Sequence, residues 1–314
     1  MARFVGQRLV ESIPVLLLSS LLVFGILHLV PGDPVDAMMG AASFGISTPE
    51  SQAKLVAQIR EQLGLGDPLP IQYLHWLGNA LRLDLGESFI RHQPVATLIA
   101  QRLPATLELA GAALVLSVVL GMSMGIIAAL KRHTAIDAAV MIVSLAGVSI
   151  PSFAFAMLLI LVFSVFLGML PATGSGSFDR LILPAVVLGY EGTALIARLT
   201  RASLLEVLGR EYITTARSKG LPRRIVVLRH AMRNALIPVV TIVGLQVGRL
   251  LAGSIIVETV FARQGVGQLA IDAILQKDYP LVQGIILLTA SAYVVANLLV
   301  DISYGFINPR IRTA

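Results

Sequence analysis

Cysteine is absent from the 314 residues, so disulfides, thiolate metal sites and cysteine nucleophiles are excluded together. Charge is scarce. Asp, Glu, Lys and Arg make up 13% of the chain, against about 25% in a soluble domain. Motifs with chemistry are missing as well. No GxxxxGK[ST] stretch is present to cradle nucleotide phosphates, and neither an HExxH pair nor a nucleophile elbow occurs. His75 and His92 lack a ligand-like partner spacing. The chain is expected to carry no catalytic residues, no metal site and no cofactor of its own.

What is abundant is apolar surface: 56% of residues are hydrophobic, and the mean hydropathy is +0.84. The expected class is an all-α membrane protein. A spanning helix needs about 20 largely apolar residues, and six stretches qualify, near 9–30, 104–130, 138–168, 181–199, 236–260 and 281–304. Arg3 and Arg8 before the first run imitate a signal peptide. The run nevertheless continues to Val30 and ends in "PGDP" without a small-residue cleavage site, so an uncleaved first span is expected.

The formal net charge of +6 suits either nucleic acid or the orientation of membrane spans, and its distribution separates the two. With the N-terminus inside, fifteen Lys and Arg fall on inner segments and eight on outer ones. This bias predicts both termini in the cytoplasm and a loop rich in arginine between spans 4 and 5 on the same side.

Residues 1–30 are thus read as an N-terminal tail with the first span, 31–102 as an extracytoplasmic insertion, and 103–314 as the permeation core. In the insertion, "STPESQAKLVAQIREQLG" predicts a helix with Thr48 as cap and Pro49 in its first turn. "IQYLHWLGNALRL" predicts a second amphipathic helix packed on that one or resting at the membrane surface. Pro151 in "GVSIPSFAF" predicts a kink in the third span. Gly121 and Gly125, four apart, predict close approach of another helix to the second.

The cationic stretch "REYITTARSKGLPRRIVVLRHAMRNALIP", residues 210–238, lies in a coupling segment of 200–235. "EYITTARS" predicts a short helix stopped by Gly220, and Pro222 starts another that runs into the fifth span. Tyr212 and Ala216 are four apart and share a face, which suits a knob that docks in a groove. A DNA reader would not be tethered between two spans. A mere belt of orienting charge would not need the punctuation at Gly220 and Pro222.

At this point the chain resembles the permease subunits of the dipeptide, oligopeptide and nickel branch of bacterial ABC importers. The resemblance rests on "EYITTARSKGLPRRIVVLRHAMRNALIPVVT" and on "PGDP" at 31–34, "GDPLPIQYLHWLGNALRLDLGES" at 66–88 and "RLPATLELA" at 102–110. It extends through "GVSIPSF" at 147–153, "ARLTRASLLEVL" at 197–208, "ETVFARQGVGQL" at 258–269, "DYP" at 278–280 and "NLLVDISYGFINPRIR" near the end. The general permease consensus begins Glu-Ala-Ala with a glycine four positions after the second alanine. Thr214, Thr215, Ala216 and Gly220 stand at those places here.

The resemblance implies a six-span permease of the bacterial inner membrane with a cytoplasmic coupling helix between spans 4 and 5. It implies Glu211, Tyr212, Thr215, Ala216, Arg217 and Gly220 as the contact with an ATP-binding subunit. The implied partners are a homologous second permease, two ATP-binding subunits that hold ATP and magnesium, and an extracytoplasmic substrate-binding protein, within membrane lipid and without nucleic acid. Short peptides are the implied cargo; nickel or another small solute is the alternative within the family.

Glu108, Glu191, Arg249 and Asp301 fall in or near predicted spans, where burial of a charge is costly. Glu191 and Arg249 are the candidates for a pathway lining or an intramembrane ion pair. A secondary transporter would use such groups for ion coupling, and that is the competing function class.

Overall fold

A computed structural model describes residues 2–29 and 66–307. The expected helix around Thr48 and Pro49 lies outside the described residues. Regular structure among the described residues is helical apart from one isolated bridge, Glu87 to Pro94. The helices are α1 (Ala2–Leu29), α2 (Leu69–Leu81), α3 (Val95–Leu130), α4 (Ala135–Ser149) and α5 (Ser152–Phe166). They continue with α6 (Asp179–Leu208), α7 (Glu211–Ser218), α8 (Arg223–Val260), α9 (Val266–Leu275) and α10 (Tyr279–Ile307).

Five described helices are long and apolar enough to cross a membrane, six if the bent pair α4 and α5 counts as one span. That pair corrects the expected kink. The two helices meet at 110°, because Pro151 lacks a donor and drives the preceding Ile150 into an extended conformation. The Tyr190 hydroxyl donates to the Ile150 carbonyl that the break leaves free, and the Tyr190 ring lies 4.4 Å from that of Phe155, centroid to centroid. Helix ends also run past the hydropathy limits: α3 begins at Val95 and α6 continues to Leu208.

The chain divides into two compact units. The first holds residues 105–264 with the two terminal segments, and α6 is its centre: 67% of the apolar window of α6 is buried, against 33% in α3 and 28% in α8. Small residues permit this. A Cβ on Gly121 would sit 2.8 Å from both the Thr193 carbonyl oxygen and the Ile196 Cβ, and one on Gly125 would sit 2.5 Å from the Ala197 carbonyl oxygen. The glycine pair therefore marks the closest passage of α3 over α6. Ser117 Oγ adds a hydrogen bond of 2.7 Å to the Gly189 carbonyl across the same contact. Just beyond that contact on α6, Arg201 donates to Asp137 of α4 through Nε at 2.5 Å and Nη2 at 2.7 Å.

The described residues of the second unit are 6–29, 66–104 and 265–294. Its core joins Val95, Leu98 and Ile99 of α3 to Leu269, Ala273, Leu281 and Ile285 of α9 and α10. Asp278, 1% exposed, accepts from the Ser88 hydroxyl and from the Phe89 amide at 3.2 Å, which ties the loop before α3 to the start of α10. Among the described contacts, the second amphipathic piece packs on the first span. Tyr73 and Trp76 of α2 meet Phe24, and Tyr73 bonds Ser20 at 2.8 Å. Each amphipathic ring gains an apolar neighbour and Tyr73 gains a polar one, which a bare surface position would not supply.

Candidate functional site

The short helix α7 is built from its own eight residues. Arg210 is extended and precedes it, Glu211 stands in the first turn and Arg217 in the last, so both charges complement the helix dipole. Thr215 Oγ1 donates to the Glu211 carbonyl at 3.1 Å. Gly220, at φ +75°, closes the end in the left-handed region, where its amide donates to the Arg217 carbonyl at 2.9 Å. Pro222, extended, then begins α8.

Packing decides which face of α7 is free. Ile213 and Ala216, three apart, are 0% and 8% exposed. They enter a cluster with Ala129 of α3, Leu204 of α6 and Val226, Val227, Ala231, Met232 and Ala235 of α8. The expectation that Tyr212 and Ala216 form one projecting face meets a different geometry: Ala216 points into the chain and Tyr212 is 42% exposed. An eight-residue helix with so little apolar surface needs a foot to be held at all, and Ile213 with Ala216 is that foot. Glu211, Tyr212, Thr215, Arg217 and Gly220 remain exposed. Tyr212 is steadied by Asn234 Nδ2, which donates to its hydroxyl at 2.9 Å. The foot packs against three of the long helices at once, α3, α6 and α8.

The α7 base continues into an irregular stretch of α8. Residues Val226–Ala231 take the wider π-helical turn between two α-helical parts, Arg223–Ile225 and Met232–Val260. Such turns occur frequently at functional positions.

The charges within the spans separate into paired and unpaired groups. Glu108 pairs with Arg263, whose side chain is 1% exposed, and Glu258, fully buried, accepts from Thr106 at 2.7 Å. The side chain of Asp301 lies outside the described residues. Glu191 and Arg249 do not form an ion pair, and both are exposed. Between their helices, Gln246 of α8 is 5% exposed and lies against Gly192, with Ser117 Oγ close by. Glu191 is next to Gly192 in sequence, and Arg249 is three residues from Gln246.

Sequence reasoning missed the Asp137–Arg201 fork. Its partners are 64 residues apart, and nothing in a local pattern links them. The burial of Glu258 and Arg263 was equally invisible, since a charge at a span end reads as a loop charge.

The family described as "Binding-protein-dependent transport system inner membrane component" matches residues 121–313, and its N-terminal companion matches residues 1–110. The chain belongs to that family. It is 45% identical over 312 residues to the glutathione transport system permease protein GsiC of Escherichia coli (strain K12), covering 99% of both chains. The same protein of Shigella dysenteriae serotype 1 (strain Sd197) matches to the same extent. Two solved structures of the MetNI methionine ABC transporter in inward-facing conformations share the fold. Their TM-scores are 0.54 and 0.55, with 20% and 19% identity, and each likeness covers 67% of this chain and 96% of the other. The protein is a multi-pass inner-membrane permease of a binding-protein-dependent transport system.

Proposed function

We propose that this permease forms half of the pathway of a binding-protein-dependent importer for short peptides. Its other half is a homologous second permease. Two ATP-binding subunits lie on the cytoplasmic side, where both termini of this chain also lie, and an external binding protein delivers the cargo. ATP and magnesium are held by the ATP-binding subunits, and this chain is not catalytic. Glutathione is itself a tripeptide, so relatives named for its transport support the peptide class.

One observation carries the coupling role. The exposed residues Glu211, Tyr212, Thr215 and Arg217 form the outer side of a helix whose inner side, Ile213 and Ala216, rests on α3, α6 and α8. Closure of the ATP-binding subunits presses the outer side, and the packed foot transfers that displacement to the spans as a rigid body. Gly220 supplies the turn, and Arg217 a charged contact.

The test is co-purification and ATP-driven uptake with Tyr212→Ala and Arg217→Glu, which alter the exposed side and leave the foot intact. Loss of ATPase association or of transport supports the reading. Unchanged association and uptake in both variants refutes it, as does proton-driven uptake by this chain alone without ATP.

A further inference from the structure

Glu191 and Arg249 lie deep in their helices. Glu191 is twelve residues from Asp179, the start of α6, and Arg249 is eleven residues from Val260, the end of α8. At 1.5 Å per residue these offsets are about 18 Å and about 17 Å. The helices α6 and α8 are consecutive spans joined by a short segment, so they run in opposite directions and these two ends lie on one side of the membrane. Both charges therefore stand near the middle of a hydrocarbon layer about 30 Å thick. At that depth neither side chain reaches a headgroup by extension along the helix.

Both residues are exposed, and neither has an ion-pair partner among the described residues. On α8, Arg249 sits in the middle of an outward stripe of Leu245, Ala252 and Ile256, spaced as one helix face. On α6, Glu191 shares its face with Arg198 two turns on, whose Nε is buried with no partner among the described residues. Lipid does not tolerate such groups uncompensated. They must face water, a ligand or a partner. The buried Gln246 of α8 lies against Gly192 of α6, so the two helices pack where the acid and the base occur, Glu191 next to Gly192 and Arg249 one turn from Gln246.

We infer that Glu191 and Arg249 form a mid-membrane site for the two termini of a zwitterionic peptide. The Arg249 guanidinium receives the C-terminal carboxylate and the Glu191 carboxylate receives the N-terminal ammonium. This rests on the peptide reading above and adds where in the pathway the cargo is met. A dipeptide or tripeptide is at most about 7–11 Å long, the scale of two packed helices about 8–10 Å apart. Glu191 and Arg249, which do not pair with each other, match a ligand that carries one charge of each sign at its ends. The guanidinium fork suits a carboxylate in particular.

The experiment uses the complete importer with its binding protein in proteoliposomes. ATP-driven uptake is measured for a tripeptide, its C-terminal amide and its N-acetyl derivative, in wild type, Arg249→Gln and Glu191→Gln. The binding protein is the same throughout, so its own preferences cancel when the ratios of wild type and variant are compared. Arg249→Gln is expected to reduce the preference for free acid over amide by roughly tenfold or more, as loss of a charge-assisted hydrogen bond implies, and to leave the preference for free amine intact. Glu191→Gln is expected to do the converse. Ratios unchanged in both variants overturn the inference while leaving peptide transport standing. Variants that no longer assemble with the second permease also overturn it, because the charges are then interface pairs. A wild-type complex that moves none of the peptides overturns both readings.

Discussion

Replacing Gly125 by alanine tests whether α3 and α6 touch where the structure places their contact. In a helix interior the exchange ordinarily gains up to about 1 kcal/mol, since alanine loses less conformational freedom on folding. Here the new Cβ would stand 2.5 Å from the Ala197 carbonyl oxygen and 2.6 Å from the Thr200 Cβ. Neither atom is the end of a flexible side chain, so the helices must separate. Overpacking of this kind costs about 1–3 kcal/mol, and contact with backbone puts this site toward the upper end. After the helix gain is subtracted, the net loss is about 2 kcal/mol. At about 2–4 °C per kcal/mol for a chain of comparable size, the midpoint of thermal unfolding of the purified permease falls by roughly 4–8 °C. Gly111 lies on the same helix with nothing within 4 Å of its Cβ position. Gly111→Ala is therefore expected to leave the midpoint unchanged or raise it by up to about 4 °C. If Gly125→Ala is as stable as wild type, or if both variants fall alike, the proposed contact is refuted.

Three further outcomes are expected. Asp137→Ala leaves the Arg201 guanidinium half-buried without its carboxylate and lowers the thermal midpoint; the exchange Asp137→Arg with Arg201→Asp restores part of it. Asp278→Ala removes the acceptor of the Phe89 amide and of the Ser88 hydroxyl, and hydrogen exchange at that amide is expected to accelerate by roughly tenfold. Gly220→Ala places a Cβ on a residue at φ +75° with open space around it. The cost is backbone strain of about 1–2 kcal/mol, and Gly220→Asn costs less; denaturant midpoints of the two variants give the order.

Local punctuation was legible in the sequence. Gly220 and Pro222 bracket a turn because one residue must enter the left-handed region and the next helix must start without a donor, and both residue types announce this. Gly121 and Gly125 marked a close approach for the same reason, since absence of a side chain can be read directly. Hydropathy located the spans and blurred their ends. It counts apolar residues, whereas helical hydrogen bonds continue through Gln101 and Arg102 at the start of α3 and through Glu206 at the end of α6.

What could not be read was anything that depends on which helix lies opposite. Ala216 and Tyr212 look equivalent in a helical wheel, and only the apolar base formed by α3, α6 and α8 separates the inner residue from the outer one. Proline at 151 signalled a disturbance but not its size, because the angle is fixed by what receives the chain afterwards, here the ring and hydroxyl of Tyr190. The same reasoning applies to Glu191 and Arg249. Their depth follows from counting, and their exposure does not.

The π turn at Val226–Ala231 sets an angular offset within α8. One residue of helix corresponds to about 100° of rotation, so a turn that holds an additional residue re-phases everything on one side of it against the other. The faces of Arg223–Ile225 and of Met232–Val260 thus cannot be projected onto a single helical wheel. The α7 end and the membrane end of this helix therefore keep separate azimuths.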